Sequence, residues 1–261
     1  MTELDVALAR AVVSRVLKIG LSFPNRESFG QISSVETEEA LARAAVVLDE
    51  VDEVSNSNTC TGLAEAVARF RAPSLTISTV GDLGQDYDRL FGHTLRGKVC
   101  PYETEYGGAH TFQQAQELSD LAGFYLAFGL KPSDARNERV DHIAHELEFL
   151  EFLSCKEAYA WEDDDDDMLA VTRGALKRFV GEHVGRFGRA FGRHLHEADT
   201  GGFYGDLGGL CTAFLSSECE RQGTEVGPEV LELRSTEEED VPMACGTGST
   251  VDSVEEVSFE V

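Results

Sequence analysis

Residues 138–161 read ERVDHIAHELEFLEFLSCKEAYAW and predict the central helix of the chain. The stretch lacks glycine and proline and is rich in alanine, leucine and glutamate, which favours a helix of about six turns. Small and apolar residues recur in it at steps of three and four and form one core-facing stripe. The stripe consists of Val140, Ile143, Leu147, Leu150, Ser154, Ala158 and Trp161. Further aromatic residues widen this surface, so we expect neighbours on several sides, as at the centre of an all-helical domain.

Helical spacing continues on both sides of this stretch, and the sequence shows neither repeats nor the alternation typical of a β-strand. We therefore predict an all-α fold, a helical-bundle-like domain of about nine to eleven helices. Six of the other predicted helices span residues 4–19, 37–54, 111–128, 167–183, 186–197 and 203–221, and Thr37 is the predicted N-cap of the second of these. A further helix begins at residue 61 or 62 and ends near residue 73. Another begins within residues 74–81 and ends at residue 91.

The segments between the helices divide the chain into one domain and a tail. Residues 21–36 are predicted to form a loop or a short turn, and residues 92–110 a long loop of the kind that usually carries a function. Residues 1–222 form the helical domain, with a division into two sub-domains near the 92–110 loop left open. Residues 223–261 are predicted to be an acidic, mostly disordered tail. Several glycines before the last helix are interpreted as flexible turns, namely Gly201, Gly202, Gly205, Gly208 and Gly209.

The charge of the chain limits its partners. The net charge is −26, from 48 acidic and 22 basic residues. Nucleic acid and anionic membrane surfaces are poor partners for such a chain, whereas an acidic field attracts a cationic peptide. Because lysine is scarce and the acidic excess is spread along the whole chain, adaptation to high salt is the alternative explanation. No apolar run is long enough for a membrane helix and the N-terminus lacks an export signal, so we expect a cytoplasmic location.

The six cysteines form no CxxC pair, and we expect mostly free thiols. His145 and Glu146 resemble the start of an HExxH zinc helix, but Phe149 occupies the position of the second histidine. His142 and His145 could share a metal with Asp141, although no other ligand has a matching spacing. The sequence lacks a nucleophile elbow and a phosphate-binding glycine loop. We therefore expect neither an enzyme nor a bound cofactor or metal, and keep a metal-dependent enzyme using His142, His145 and Glu146 as the alternative.

Ten residues suggest a peptide-binding groove. Aromatic side chains beside fixed carboxylates suit a peptide that combines an apolar stretch with arginines. Three of the residues precede the 92–110 loop, four lie in that loop, and three lie at the start of the central helix. For the three residues before the loop, simple core packing is the alternative. The candidate peptide-binding residues are Tyr87, Leu90, Phe91, Pro101, Tyr102, Glu103, Tyr106, Asp141, His142 and Glu146.

These segments together resemble the TorD-like family of redox-enzyme maturation chaperones, which includes assembly chaperones of DMSO, nitrate and related molybdoenzymes. The resemblance covers residues 85–162 and is carried by YDRLF (87–91), CPYETEYG (100–107), FQQAQELSDLAGFYLAFGL (112–130) and ERVDHIAHELEFLEFL (138–153). The family's aromatic-Leu-Phe cluster falls on Tyr87, Leu90 and Phe91, its loop proline on Pro101, and its Asp-His pair on Asp141 and His142. Two positions depart from the family pattern. Val140 stands where a proline usually precedes Asp-His, and Tyr87 stands where some members have tryptophan.

The resemblance implies an all-helical cytoplasmic chaperone that binds the twin-arginine signal peptide of a molybdopterin oxidoreductase subunit. Such a chaperone holds the subunit back from export until its cofactor is inserted. A permanent structural subunit of a reductase complex is a further alternative, and we expect a monomer or a domain-swapped dimer. His142 could tune peptide binding near neutral pH or simply cap the central helix. Replacing Asp141 or His142 with alanine is expected to weaken peptide binding without unfolding the protein.

Overall fold

Ten α-helices and no β-strand make up the described part of the chain. The computed structural model describes residues 2–54, 62–70, 79–92, 97–108, 111–131 and 138–234. A short 3-10 turn, Glu103–Glu105, lies between the fifth and sixth helices. The prediction of an all-α fold is confirmed. In chain order the helices are α1 (Glu3–Leu21), α2 (Arg26–Ile32), α3 (Val35–Val54), α4 (Leu63–Phe70), α5 (Val80–Phe91), α6 (Thr111–Ala127), α7 (Ile143–Glu162), α8 (Asp166–Glu182), α9 (Val184–Ala198) and α10 (Phe203–Gln222).

The central helix, α7, packs against α1, α8 and α9, as its wide apolar surface predicts. The predicted start of this helix is wrong, because α7 begins at Ile143 and not at Glu138. The imidazole of His142 caps the helix by accepting a hydrogen bond from the backbone N–H of Ala144 at 3.1 Å. The residues before His142 are held in a turn by neighbours outside the helix, and these contacts override their helical propensity.

One hydrophobic core extends from Ala9 in α1 to Cys219 in α10. Its members come from almost every helix, so the described residues form a single helical domain and show no division near the 92–110 loop. Four cysteines in the described part of the chain are free thiols: Cys100, Cys155, Cys211 and Cys219. The other two, Cys60 and Cys245, lie outside the described residues. Within the described residues, no helix combines the length and the apolar character that crossing a bilayer requires.

Two short-range predictions near the N-terminus are wrong. Residues 26–32, expected in a loop or short turn, form α2, because Asn25 and Ser28 cap its start reciprocally. The next helix, α3, begins at Val35 and not after Thr37. The hydroxyl of Ser34 accepts a hydrogen bond from the Thr37 N–H at 3.1 Å, which gives Ser34 the capping role.

Glycines allow α9 and α10 to pack backbone against backbone. A Cβ atom on Gly208 would lie 2.5 Å from the carbonyl oxygen of Gly192, and one on Gly192 would lie 2.7 Å from that of Gly208. Gly205 and Gly209 also lie within α10, so the prediction of flexible turns is wrong for Gly205, Gly208 and Gly209. Gly192 and Gly208 are glycine because side chains at these two positions would separate the helices.

The first part of the predicted tail is attached to the domain. The N–H of Gly107 donates to the carbonyl of Glu232 at 2.9 Å, and the N–H of Arg234 donates to that of Glu105 at 2.8 Å. The carboxylate of Glu229 lies 2.6 Å from a guanidinium nitrogen of Arg189. Residues 223–234 therefore run along α9 and the 3-10 turn. The rest of the predicted tail, residues 235–261, lies outside the described residues.

Candidate functional site

The loop between α5 and α6 pairs with the turn that precedes α7. The N–H of Glu103 donates to the carbonyl of Asp141 at 2.9 Å, and the N–H of Ile143 donates to the carbonyl of Pro101 at 2.8 Å. Tyr102 and His142 form an antiparallel bridge at the same place. The structure thus brings together two parts of the predicted site that lie far apart in the sequence.

Asp141 is fully buried and acts as the hub of this junction. Its carboxylate accepts hydrogen bonds from the N–H and the hydroxyl of Thr104, at 3.1 and 2.8 Å. It also accepts two from the guanidinium of Arg139, at 2.9 and 2.7 Å. A buried carboxylate with this many donors holds its surroundings in one arrangement. Asp141 therefore positions the loop and the turn, and it presents no surface to a partner.

His142 is also buried, with 2% of its surface exposed. Its Nδ1 atom accepts the hydrogen bond that caps α7, and its ring packs edge-on against Tyr102 with 5.4 Å between centroids. Burial lowers the pKa of His142 to about 4, so the imidazole is neutral at physiological pH. The helix-cap interpretation of His142 is confirmed, and a charge change near neutral pH is not supported.

A second buried carboxylate, Glu146, lies one turn further along α7. Both of its oxygens lack a hydrogen-bond partner among the described residues. Burial, followed by the charges of Glu103 and Asp141, raises its pKa well above the ordinary value. Glu103, in contrast, is fully buried but paired, with one oxygen 3.2 Å from His183 Nδ1 and the other 3.1 Å from an Arg186 nitrogen. Glu146 is therefore a buried acid whose protonation state affects the stability of the fold.

Replacing Glu146 with glutamine is expected to stabilise the protein increasingly as the pH rises. The pKa of Glu146 is higher in the folded state than in the unfolded chain, where it is about 4.5. Protonated Glu146 therefore contributes fully to the free energy of unfolding below pH 4.5, and this contribution is lost as the pH rises through the folded-state pKa. Each pH unit within this window corresponds to about 1.4 kcal/mol. Urea unfolding of both proteins at pH 5 and pH 8 measures the difference. Glu148→Gln, an exposed position on the same helix, is the control, and parallel pH profiles for all three proteins would contradict the assignment.

The other predicted residues are mostly core residues. Tyr87, Leu90 and Phe91 lie on α5 and are buried, with the ring of Phe91 5.6 Å from that of Tyr204 in α10. Tyr106 is buried against Phe187 in α9 at 5.4 Å. The structure therefore agrees with the alternative interpretation of the three α5 residues, which is core packing. Nine of the ten candidates are buried, and Tyr102 is the one that is half-buried.

The Nδ1 atoms of His142 and His145 both interact with backbone groups. Nδ1 of His142 accepts from Ala144, and Nδ1 of His145 lies 2.9 Å from the carbonyl oxygen of Arg139. The two imidazole centroids are 6.1 Å apart. In the part of the chain that the structure describes, no group of three or more His, Cys, Asp or Glu side chains could hold a metal ion.

Four residues of this network are not among the residues predicted from the sequence. Arg139 and Thr104 lie next to predicted residues, and the quoted motifs contain both. His183 and Arg186, at the junction of α8 and α9, have no local signal, because only folding brings them to Glu103.

Several known proteins are similar to part of this chain. The family model of the nitrate reductase delta subunit matches residues 56–191, just over half of the chain. The perchlorate reductase assembly chaperone protein of Dechloromonas aromatica is 32% identical over 161 residues, which are 60% of this chain and 66% of that protein. The chaperone protein TorD of Vibrio cholerae is 27% identical over 139 residues, or 52% of this chain and 60% of that protein. TorD of Photobacterium profundum is 28% identical over 156 residues, which are 58% of this chain and 71% of that protein.

The matched region spans less than two thirds of the first two of these relatives. The residues that the family model matches, 56–191, contain α5, the 98–107 loop, the turn before α7 and α7 itself, which are the segments that build the site. The chain therefore belongs to the nitrate reductase delta subunit family, the TorD-like family that its motifs resemble.

Proposed function

We propose that this protein is a cytoplasmic chaperone for a molybdopterin-containing oxidoreductase subunit. In this proposal it binds the twin-arginine signal peptide of the subunit and assists cofactor insertion before export. The observation that carries the proposal is membership of a family whose matched relatives are named as a reductase assembly chaperone and as TorD chaperones. The all-helical fold agrees with what the motifs of this family imply.

The construction of the Asp141–His142 turn supports a binding role over catalysis. A general acid or base has to reach its substrate, whereas the side chains of Asp141 and His142 are buried and hydrogen-bonded within the chain. What such a turn supplies is a rigid surface of fixed shape, and a pre-organised surface binds a peptide at a lower entropic cost. In our proposal the two residues hold this surface, and their neighbours contact the peptide.

The net charge supports a cationic client segment. An acidic protein attracts arginine-containing peptides at long range, and salt screens this attraction. Adaptation to high salt remains a prediction that explains the same charge, so binding has to be measured at more than one salt concentration.

Saturable binding of a fluorescent twin-arginine signal peptide is the expected result of a titration with the purified protein. The peptide is taken from the oxidoreductase encoded beside the chaperone, and a twin-lysine version serves as control. Lysine cannot reproduce the bidentate pairing of arginine with carboxylates, so we expect the lysine peptide to bind several-fold more weakly. Absence of binding at both low and high salt, with the protein folded by circular dichroism, would contradict signal-peptide recognition.

A permanent structural subunit of a reductase is the second candidate, because the matching family model is named after a subunit. Purification of the reductase from cells that express both proteins separates the two functions. A chaperone leaves the mature enzyme, whereas a structural subunit remains bound at a fixed stoichiometry.

A further inference from the structure

An extended segment follows α10 and pairs with the 98–107 loop, and we call this segment, residues 224–234, the C-terminal strap. The start of the loop pairs with the turn before α7, whereas residues 105–107 pair with the strap. Leu233 of the strap and Tyr106 of the loop form an antiparallel bridge. Within one chain, the strap therefore occupies the position in which an extended peptide pairs with a backbone edge.

Charges of opposite sign hold two positions of the strap. The carboxylate of Glu229 lies 2.6 Å from Arg189 and 2.7 Å from Arg193, both in α9. The guanidinium of Arg234, five positions further along the sequence, lies 2.8 Å from Glu117 in α6. The loop edge thus has basic groups near one end of the paired segment and an acidic group near the other. Two such charges select both the direction and the register of an extended segment.

Release of the strap frees these charges for another segment. In the described part of the chain, the guanidinium of Arg189 donates to two groups of the strap, the carboxylate of Glu229 at 2.6 Å and the carbonyl of Gly227 at 3.3 Å. Glu117 loses Arg234 and, among the described residues, keeps Arg186 at 3.5 Å. An open strap therefore leaves a guanidinium and a carboxylate with unused hydrogen-bonding capacity beside a free backbone edge.

The closed strap is weakly held compared with the helices. Val230 and Leu233 are 70% and 41% exposed, and Leu231 is only partly buried against the core. The side chain of Arg234 is 10% exposed, yet its Nε and Nη1 atoms have no hydrogen-bond partner among the described residues. Buried donors without partners cost free energy, and water satisfies them when the strap opens. Opening therefore loses little apolar burial and relieves an unsatisfied buried cation.

We propose that the strap is a reversible lid over a peptide-binding edge, and that an extended segment of a partner protein displaces it. The segment that fits carries a carboxylate five residues before an arginine, as the strap does, and pairs through its backbone with residues 105–107. Its carboxylate meets Arg189 and its arginine meets Glu117. The closed strap competes with such a segment, so the apparent affinity is the intrinsic affinity multiplied by the fraction of chains that are open.

Gly227 is the position at which a substitution releases the strap and leaves the helical core unchanged. A Cβ atom there would lie 2.3 Å from the carbonyl oxygen of Gly185 and 2.7 Å from that of Arg186. Because both contacts are with backbone atoms, Gly227→Val forces the strap away from α9 in the otherwise unaltered chain. Gly108→Ala is the matched control, since no atom lies within 4 Å of the Cβ that it adds. Thermal unfolding of both variants establishes that they fold.

The probe is a capped fluorescent peptide with the strap sequence GPEVLELR, residues 227–234. We expect its Kd to be at least about tenfold lower for the Gly227→Val chain than for the unaltered and Gly108→Ala chains, whose own straps compete with it. The same peptide with its first glutamate and its arginine exchanged should bind the Gly227→Val chain at least about threefold more weakly, because like charges then meet at both positions. Amide hydrogen exchange at Gly107 should be at least about tenfold faster in Gly227→Val, since the bond to Glu232 is lost.

Two results for the peptide would overturn the assignment when Gly107 exchanges faster in the Gly227→Val chain. Equal Kd values for this chain and the unaltered protein would mean that the strap does not compete for the edge. Absence of binding to the variant would mean that the freed edge does not bind peptides. A second variant, Glu229→Arg with Arg234→Glu, repels the strap at both charged positions. If neither variant accelerates exchange at Gly107, the strap does not open and is not a lid.

Discussion

Replacing Arg10 with alanine is expected to lower the free energy of unfolding by about 3–5 kcal/mol. Arg10 lies in α1 with 2% of its surface exposed. Its guanidinium contacts Glu218 of α10 at 2.7 Å and Glu157 of α7 at 2.5 Å. The three side chains join three helices at a point without solvent. Alanine at this position leaves two buried carboxylates with fewer partners, and the loss of that compensation is the main cost.

The remaining partners limit this loss and give it a pH dependence. Glu218 keeps Arg221 at 2.7 Å, and Glu157 keeps Arg173 at 2.7 Å, so the loss should be nearer the lower end of the range. Burial tends to raise the pKa of Glu218, but the charges of Arg10 and Arg221 lower it below the ordinary value. This stabilising contribution is present above the unfolded-state pKa of 4.5 and is lost as the pH falls through the lower folded-state pKa. Without Arg10, protonation relieves the buried charge, so the difference between the two proteins should shrink as the pH falls from 7 to 4.5.

Urea unfolding measures this effect without screening the charges. Arg15→Ala is the matched control, because Arg15 also lies in α1 and pairs with Glu151 of α7, but its side chain is 63% exposed. The carboxylate of Glu151 is 13% exposed, so we expect a loss of about 1 kcal/mol, well below that of Arg10→Ala, whose partners are both buried. Equal losses for Arg10→Ala and Arg15→Ala, or a loss for Arg10→Ala that does not change between pH 7 and pH 4.5, would be incompatible with a buried ion network.

Replacing Asp141 with alanine is expected to reduce stability by about 2–4 kcal/mol and to weaken peptide binding as a consequence. The substitution removes the acceptor for the Thr104 N–H and hydroxyl and for two nitrogens of Arg139. It leaves the Thr104 N–H without its partner in a buried position. The sequence alone led us to expect weaker binding without unfolding. The complete burial of Asp141 changes that expectation, because a buried hub cannot be removed without a loss of packing and hydrogen bonds.

The comparison of stability with affinity decides which role Asp141 has. Asp141→Asn keeps one acceptor oxygen and the side-chain volume, so we expect an intermediate loss of stability and a smaller change in the Kd. Asp120→Ala, at an exposed position in α6, is the control for loss of a surface carboxylate and should change neither quantity. If Asp141→Ala kept full stability and lost peptide binding, the carboxylate would contact the peptide directly, contrary to its position in the structure.

Much of the helical order could be predicted because helix signals are local. The spacing of apolar residues located α7, and Gly223 ends α10 in the left-handed conformation that favours glycine. The errors occur where a distant segment competes with the local signal. Residues 138–140 have helical composition, but the pairing of Glu103 and Pro101 with the Asp141 turn holds them outside α7. Gly208 looks like a turn residue in the sequence, yet it lies mid-helix because α9 approaches there.

In the candidate site, too, local sequence signals predicted some features and contacts between distant segments decided the others. The motifs identified the 100–107 loop and the start of α7 as the segments that belong together, and the structure pairs them. They could not show that Asp141, His142 and Glu146 are buried, since burial depends on what covers a side chain.

The sequence by itself determined the helical class of this protein, the order of its main helices and its family, because these depend on spacing and motifs within short stretches. Only the tertiary structure decided which of the predicted residues are buried. It buried Asp141 and His142 where the 98–107 loop pairs with the turn before α7, and it closed the ion pairs of Arg10. The physical reason is that burial and charge pairing arise between residues distant in the chain, and their energies depend on the arrangement in space that folding produces.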